Sequence, residues 1–110
     1  DKSAGYLNAR RAFSALNRRE PDHPLPLIYY FRSFVEQGVT PPPLAIEGLE
    51  RAAQLAPFDF GLRMTLGVQL IKTGRQSEAR AALAPVAFNP HGGGLAEAAR
   101  KVMTRLDSEP

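Results

Sequence analysis

The sequence contains no cysteine and only two histidines, His23 and His91. Without cysteine the chain can form no disulfide and has no thiolate for catalysis, and two imidazoles alone make a zinc site unexpected. The sequence also lacks any run of about 18 apolar residues, which a membrane-spanning helix needs. These absences predict a protein with no disulfide, metal site, cofactor or membrane span.

The first residues, DKSAGYL, do not have the basic and then apolar pattern of a secretory leader, and they include no initiator methionine. We therefore expect the chain to be a piece of a larger protein. A soluble protein is expected, and its compartment stays open between the cytoplasm and the periplasm of a bacterial cell.

Charge is nearly balanced, with 14 basic and 11 acidic residues and a formal net charge of +3. The basic residues occur in separated pairs, such as Arg10 with Arg11 and Arg18 with Arg19. Nucleic-acid grooves usually carry a denser basic stripe. The sequence therefore predicts no nucleic-acid partner, while its hydrophobic share of 44% is enough for a packed core.

Clusters of proline and glycine divide the chain into segments of helical length, and each segment has apolar residues at helical spacing. The pattern predicts six helices and no strand. One segment, Leu25 to Val35, is rich in residues that also favour strands. Its apolar and polar residues do not alternate, so a helix is predicted there too.

Three sets of equivalent residues repeat along the chain. Ala9, Ala45 and Ala79 are separated by 36 and then 34 residues. The same spacing relates two further sets, which are Phe13, Leu49 and Leu83, and Leu16, Ala52 and Val86. Gly38 and Gly74 lie 36 apart, and prolines at 21, 57 and 90 close three units. Such a period indicates stacked helical hairpins.

The third unit, with Leu66-Gly67, Leu70, Gly74, Ala79, Leu83, Val86 and Pro90, resembles the tetratricopeptide repeat, whose period is about 34 residues. The second unit is similar but has bulky Phe31 where that family prefers a small residue. It also has a longer turn ending in three prolines, the last of which, Pro43, is predicted to start a helix. The resemblance implies an all-α superhelix of about two and a half tetratricopeptide-like units in one domain, 1–110. Its parts are a truncated-repeat helix at 3–19, repeats at 25–57 and 59–90, and a C-terminal capping helix at 94–107.

In the resembled family, the first helix of each repeat lines a concave face that binds ligand. Carried over by position, this implies a partner-binding face made of Leu25, Ile28, Arg32, Val35, Met64, Val68, Ile71 and Lys72. Glu36 and Gly61 belong to the same face. A mostly apolar stripe of this kind favours a protein or peptide partner. The alternative is that the capping helix or another part of the protein covers the stripe.

The string His91-Gly92-Gly93-Gly94 resembles part of an esterase oxyanion hole. That chemistry also needs a serine elbow on a parallel sheet, and neither is present in the sequence pattern, so no enzyme is predicted. A flexible linker accounts for the glycines. An anion site formed by His91, Gly93 and Gly94 at a helix start is a second possibility.

The first repeat has no preceding helix in this sequence, so one apolar side of its helix is expected to lack a cover. A homodimer could bury that side. The predicted function is a protein-interaction or assembly module that binds through the concave face. The alternative is a non-catalytic C-terminal accessory domain of a larger enzyme.

Overall fold

A computed structural model describes residues 2–108 of the chain. These residues form six helices, listed here in chain order: α1 (Lys2–Arg19), α2 (Pro24–Gln37), α3 (Pro43–Leu55), α4 (Phe60–Lys72), α5 (Gln76–Ala87) and α6 (Gly93–Ser108). No strand occurs within the described range. The predicted all-α class is confirmed, and the segment with strand-like composition lies inside α2.

The helices fall into two compact units, one ending at Ala56 and the other beginning at Pro57. In the first unit, α1 packs against α2 and α2 against α3. In the second unit, α4 packs against α5 and α5 against α6. Each unit is therefore a set of three helices in which neighbours along the chain are neighbours in space.

The turns after α2 and α4 have the same geometry. Each contains a glycine in the left-handed region, Gly38 with φ of 80° and Gly74 with φ of 78°. In both turns the glycine N–H donates to the carbonyl three residues back, at 3.0 Å. The next N–H donates to the carbonyl five residues back, at 3.1 Å after Gly38 and 2.9 Å after Gly74. A residue with a Cβ would strain this conformation, which explains glycine at both positions.

The starts of the helices follow from their residues. α3 begins at Pro43, as predicted, because the fixed φ of proline suits the first helical position and its missing N–H is not needed there. α4 begins after Asp59, whose carboxylate accepts a hydrogen bond from the Leu62 N–H at 3.0 Å. In this way the proline-rich and aspartate-containing turns determine where both helices begin.

The aligned positions of the repeats are buried in α3 and α5 but not in α1. The residues of the second and third units, Ala45, Leu49, Ala52, Ala79, Leu83 and Val86, are each at most 1% exposed. In α1, Ala9 and Phe13 are half-buried, and Leu16 is 38% exposed. Equivalent residues therefore differ in burial according to whether another helix covers them.

Within the second unit, α4 and α5 approach each other closely at Gly67. A Cβ added to Gly67 would lie 2.5 Å from Cδ2 of Leu83, a distance that no real side chain tolerates. Leu83 belongs to a buried cluster with Val86, Ala87 and Ala99. A missing side chain on one helix thus makes room for a fully buried leucine on the next.

A proline inside α5 leaves a backbone carbonyl without its usual partner, and an arginine on α4 supplies one. Pro85 lacks the N–H that would donate to the Ala81 carbonyl, four residues back. Arg63 donates through Nη2 to the Ala81 oxygen at 3.2 Å and through Nε to the Ala82 oxygen at 3.0 Å. The arginine therefore compensates for the proline and joins α4 to α5.

We predict that Arg63→Met lowers the free energy of unfolding by about 0.5–1.5 kcal/mol, because it removes the hydrogen bonds to the Ala81 and Ala82 carbonyls. In a Pro85→Ala background the same change should cost less, since the restored N–H at position 85 can bond that carbonyl. Urea unfolding of the four proteins in this double-mutant cycle measures the difference.

Arg105→Met, which changes an exposed arginine on α6, is the matched control and should shift the unfolding free energy by no more than about 0.5 kcal/mol. An equal cost for Arg63→Met with and without Pro85 would contradict the compensation.

Candidate functional site

The predicted binding residues of α2 share one face of that helix. Leu25 is 43% exposed and Val35 is 52% exposed, Arg32 is also exposed, and Ile28 is half-buried. Arg32 and Glu36 lie one turn apart, with Nη2 and Oε1 3.9 Å apart. This face combines large apolar side chains with a loose ion pair, and surface ion pairs of this kind contribute little to stability.

The predicted binding residues of α4 lie in a different environment. Met64 and Ile71 pack against the buried cluster of the second unit, which includes Ala99 of α6. Val68 is half-buried and Lys72 is exposed. Met64 and Ile71 therefore contribute to the core of their own unit, which is the intramolecular cover that the sequence left open as an alternative. Of the four predicted binding residues on α4, only Lys72 is exposed.

The glycine run at the start of α6 has a structural explanation, and two of its glycines lie in the helix and not in a linker before it. A Cβ added to Gly92 would lie 2.5 Å from the Cβ of Ala96, and Gly93 has a φ of 56°. His91 is exposed, and its backbone N–H donates to Oδ1 of Asn89 at 3.1 Å. Gly93 and Gly94 are the first two residues of α6. They therefore lie at the start of a helix, as the sequence predicts.

Neither a metal site nor a membrane span is found in the described part of the chain. Across residues 2–108, no three acidic or histidine side chains gather where they could hold a metal ion. None of the helices in that range is both long and apolar enough to cross a membrane.

A groove of about 440 Å³ lies between α1 and α2. Its walls include Tyr6, Ala9 and Phe13 from α1, and Tyr29, Arg32 and Glu36 from α2. The rings of Phe13 and Tyr29 are in contact, with centroids 5.7 Å apart and planes tilted by 45°. Tyr29 is 41% exposed, so this side chain, which the sequence analysis did not assign to the binding face, extends the exposed face of α2 toward α1.

Polar contacts of Arg10 hold α1 against the last turns of α2. Arg10 donates from Nε to the Ser33 hydroxyl at 2.9 Å and from Nη2 to the Ser33 carbonyl at 3.4 Å and to Oε1 of Gln37. Its guanidinium carbon lies 3.7 Å from the centroid of the Phe34 ring. Ser33 is buried, and its hydroxyl donates to the Tyr30 carbonyl at 2.6 Å. One arginine thus combines charge-assisted hydrogen bonds with a cation–π contact.

Packing against α2 and the contact between the Phe13 and Tyr29 rings also secure α1. The Tyr6 hydroxyl donates to the Glu36 carbonyl at 3.2 Å, near the same end of α2. No residue of α1 is fully buried. The Arg10 contacts therefore add a polar link between α1 and α2, and sequence patterns give no signal for such a long-range pairing.

No family model, curated protein sequence or solved structure matches the chain.

We predict that Arg10→Met speeds hydrogen exchange of α1 amides by about tenfold or more, since the buried Ser33 oxygens lose a charged donor worth about 1.5–3 kcal/mol. Hydrogen exchange followed by mass spectrometry on peptides from α1 and α3 would measure the change.

Arg11→Met is the matched control, because Arg11 is exposed on the same helix and should leave exchange in α1 nearly unchanged. Equal exchange rates for the two variants would show that Arg10 does not hold α1 in place.

Proposed function

We propose that the chain is a tetratricopeptide-like module that binds a protein segment through the exposed face of α2. This face consists of Leu25, Ile28, Tyr29, Arg32 and Val35. The proposed role is assembly, in which the module supplies a rigid surface and carries out no reaction of its own.

The likeness between the hairpins supports the repeat assignment. The turns after α2 and α4 share their hydrogen bonds and their left-handed glycines, 36 residues apart. The aligned alanines of α3 and α5, Ala45 and Ala79, are both fully buried. Two hairpins with the same turn and the same small residue under the preceding helix are expected of stacked repeats.

The observation that carries the binding role is the exposure of large apolar side chains on one face of α2. Leu25, Tyr29 and Val35 are each more than two-fifths exposed, and they lie on the helix that in the resembled family lines the ligand groove. A folded monomer gains nothing by leaving such side chains in water, whereas a partner that covers them gains about 25 cal/mol per Å² of apolar area.

The apolar face of α2 is also the better target for a test than that of α4. Met64 and Ile71 pack against the core of the second unit, so an acidic residue at either position would destabilise that unit as well as change its surface. Leu25 and Val35 are exposed and can be changed without loss of the fold.

We predict that peptides selected from a displayed library on the wild-type chain bind Leu25→Glu and Val35→Glu at least about tenfold more weakly, because a carboxylate in an apolar contact must be desolvated. Fluorescence anisotropy with the selected peptides would measure the affinities, and circular dichroism would confirm that the variants are folded.

Phe88→Glu makes the same kind of change at a 70% exposed residue of the second unit and should leave the affinities unchanged. If the selected peptides bind both α2 variants as tightly as they bind the wild type, the α2 face is not the binding surface.

A further inference from the structure

A second cavity, of about 390 Å³, lies on the opposite side of α1 from the groove described above. We call this hollow between α1 and α2 the arginine pocket. Its lining shares no residue with the exposed face of α2. Cavities that hold small ligands typically have volumes of about 300–1,000 Å³, so this one is large enough for such a ligand. Its walls include Arg10, Arg11, Ser14 and Arg18 from α1, and Tyr30 and Phe34 from α2.

Within the described part of the chain, three arginines line this pocket and no acidic residue does. Arg10 is half-buried, and its hydrogen bonds go to neutral groups of Ser33 and Gln37. Across residues 2–108, Arg10, Arg11 and Arg18 take part in no ion pair. Positive charges that share one hollow repel one another, and water screens a partly buried charge less than an exposed one. The arginine pocket therefore favours an anion.

The spacing of the arginines suits an anion with several acceptor oxygens. Arg11 and Arg18 lie on the same side of α1, seven residues or about 10 Å apart along the helix. Their long side chains can converge on one group between them. Ser14 lies between the two, and no hydrogen bond of its hydroxyl is found within residues 2–108. A phosphate monoester has nearly two negative charges and three acceptor oxygens for these donors, whereas a carboxylate has one charge and two oxygens.

The arginine pocket adjoins a mainly apolar cavity of about 370 Å³. Arg18 and Tyr30 are among the residues that line both cavities. The apolar part of the wall includes Leu27 of α2 and Leu44 of α3, and Leu44 is 64% exposed. Glu47 of α3 also lies in this wall and would repel an anion, so the negative group belongs at the arginine end. A ligand that fills both cavities therefore has an apolar part attached to its phosphate.

We infer that the two cavities together bind a small phosphate monoester that carries an apolar chain. Its phosphate accepts hydrogen bonds from Arg11, Ser14 and Arg18, and the half-buried charge of Arg10 adds attraction. Its chain extends into the apolar cavity and lies against Leu27. No residue of this site belongs to the exposed face of α2, so binding here does not depend on the role proposed for that face.

Hexyl phosphate is the probe, and three other compounds each lack one of its features. Inorganic phosphate has no chain, hexanol has no charge, and hexanoate has a carboxylate in place of the phosphate. Titration of each compound into the isotopically labelled chain, followed by NMR, reports both the affinity and the residues that respond.

Hexyl phosphate should bind with a dissociation constant below about 1 mM and shift the amide signals of Ser14, Arg18 and Tyr30. Inorganic phosphate and hexanol should bind at least about tenfold more weakly, and hexanoate at least about threefold more weakly. If inorganic phosphate or hexanol binds as tightly as hexyl phosphate, the chain or the charge is not recognised and the inference is overturned. Equal binding of hexanoate would refute a phosphate ligand, and shifts confined to residues outside the two cavities would refute the site.

Arg18→Met and Arg19→Met remove the same charge from adjacent positions of α1. Both arginines are exposed, but Arg18 lines the two cavities and Arg19 lines neither. Hexyl phosphate should bind Arg18→Met at least about fivefold more weakly than it binds Arg19→Met, because a charge-assisted hydrogen bond is lost. Circular dichroism would confirm that both variants are folded. Equal affinities for the two variants would refute binding in the arginine pocket.

A lipid phosphate in a membrane has the same chemistry as a soluble phosphate monoester. The soluble form fits this site, because the donors line a hollow between helices that the ligand has to enter. The chain should therefore stay in the supernatant when vesicles of phosphatidylcholine and phosphatidic acid are sedimented. Co-sedimentation that Arg18→Met reduces would assign the arginines to a membrane surface and overturn the inference.

Discussion

Small residues lie at the points where neighbouring helices cross, and the close packing of both units requires them. Gly67 leaves room for Leu83, and Ala45 and Ala79 are completely buried beneath their neighbours. Side chains of this size let helices approach closely enough for leucine to fill the remaining space. This packing determines which residues of the same helices remain exposed. The exposed residues of α2 form the candidate binding surface.

α1 has the same pattern of residues but is held in another way. Its aligned residues Ala9 and Phe13 are only half-buried, and Arg10 joins it to α2 through contacts with Ser33, Gln37 and Phe34. Positions that are fully covered in α3 and α5 are therefore only partly covered in α1.

The number of helices could be predicted from the sequence because helical periodicity and the proline and glycine turns are local signals. The start of α3 at Pro43 and the helical state of Leu25 to Val35 were predictable for the same reason. The contacts of Arg10 with Ser33 and of Arg63 with Ala81 were not, since they join residues far apart in sequence. Periodicity places Met64 and Ile71 on one face of α4, but it does not show that a neighbouring core receives them. The tetratricopeptide assignment stays a proposal, supported by two matching hairpins.

Equivalent repeat positions are fully covered in α3 and α5 and only partly covered in α1. Since the chain has no cysteine, Ala9→Cys, Ala45→Cys and Ala79→Cys each introduce a single thiol at one of these positions. The rate of labelling by a small maleimide, measured under native conditions and divided by the rate in denaturant, reports the cover directly. We predict rapid labelling at position 9 and rates at positions 45 and 79 lower by about a hundredfold or more, because those thiols react only when the helices open. Similar rates at all three positions would show that position 9 is covered as fully as the other two.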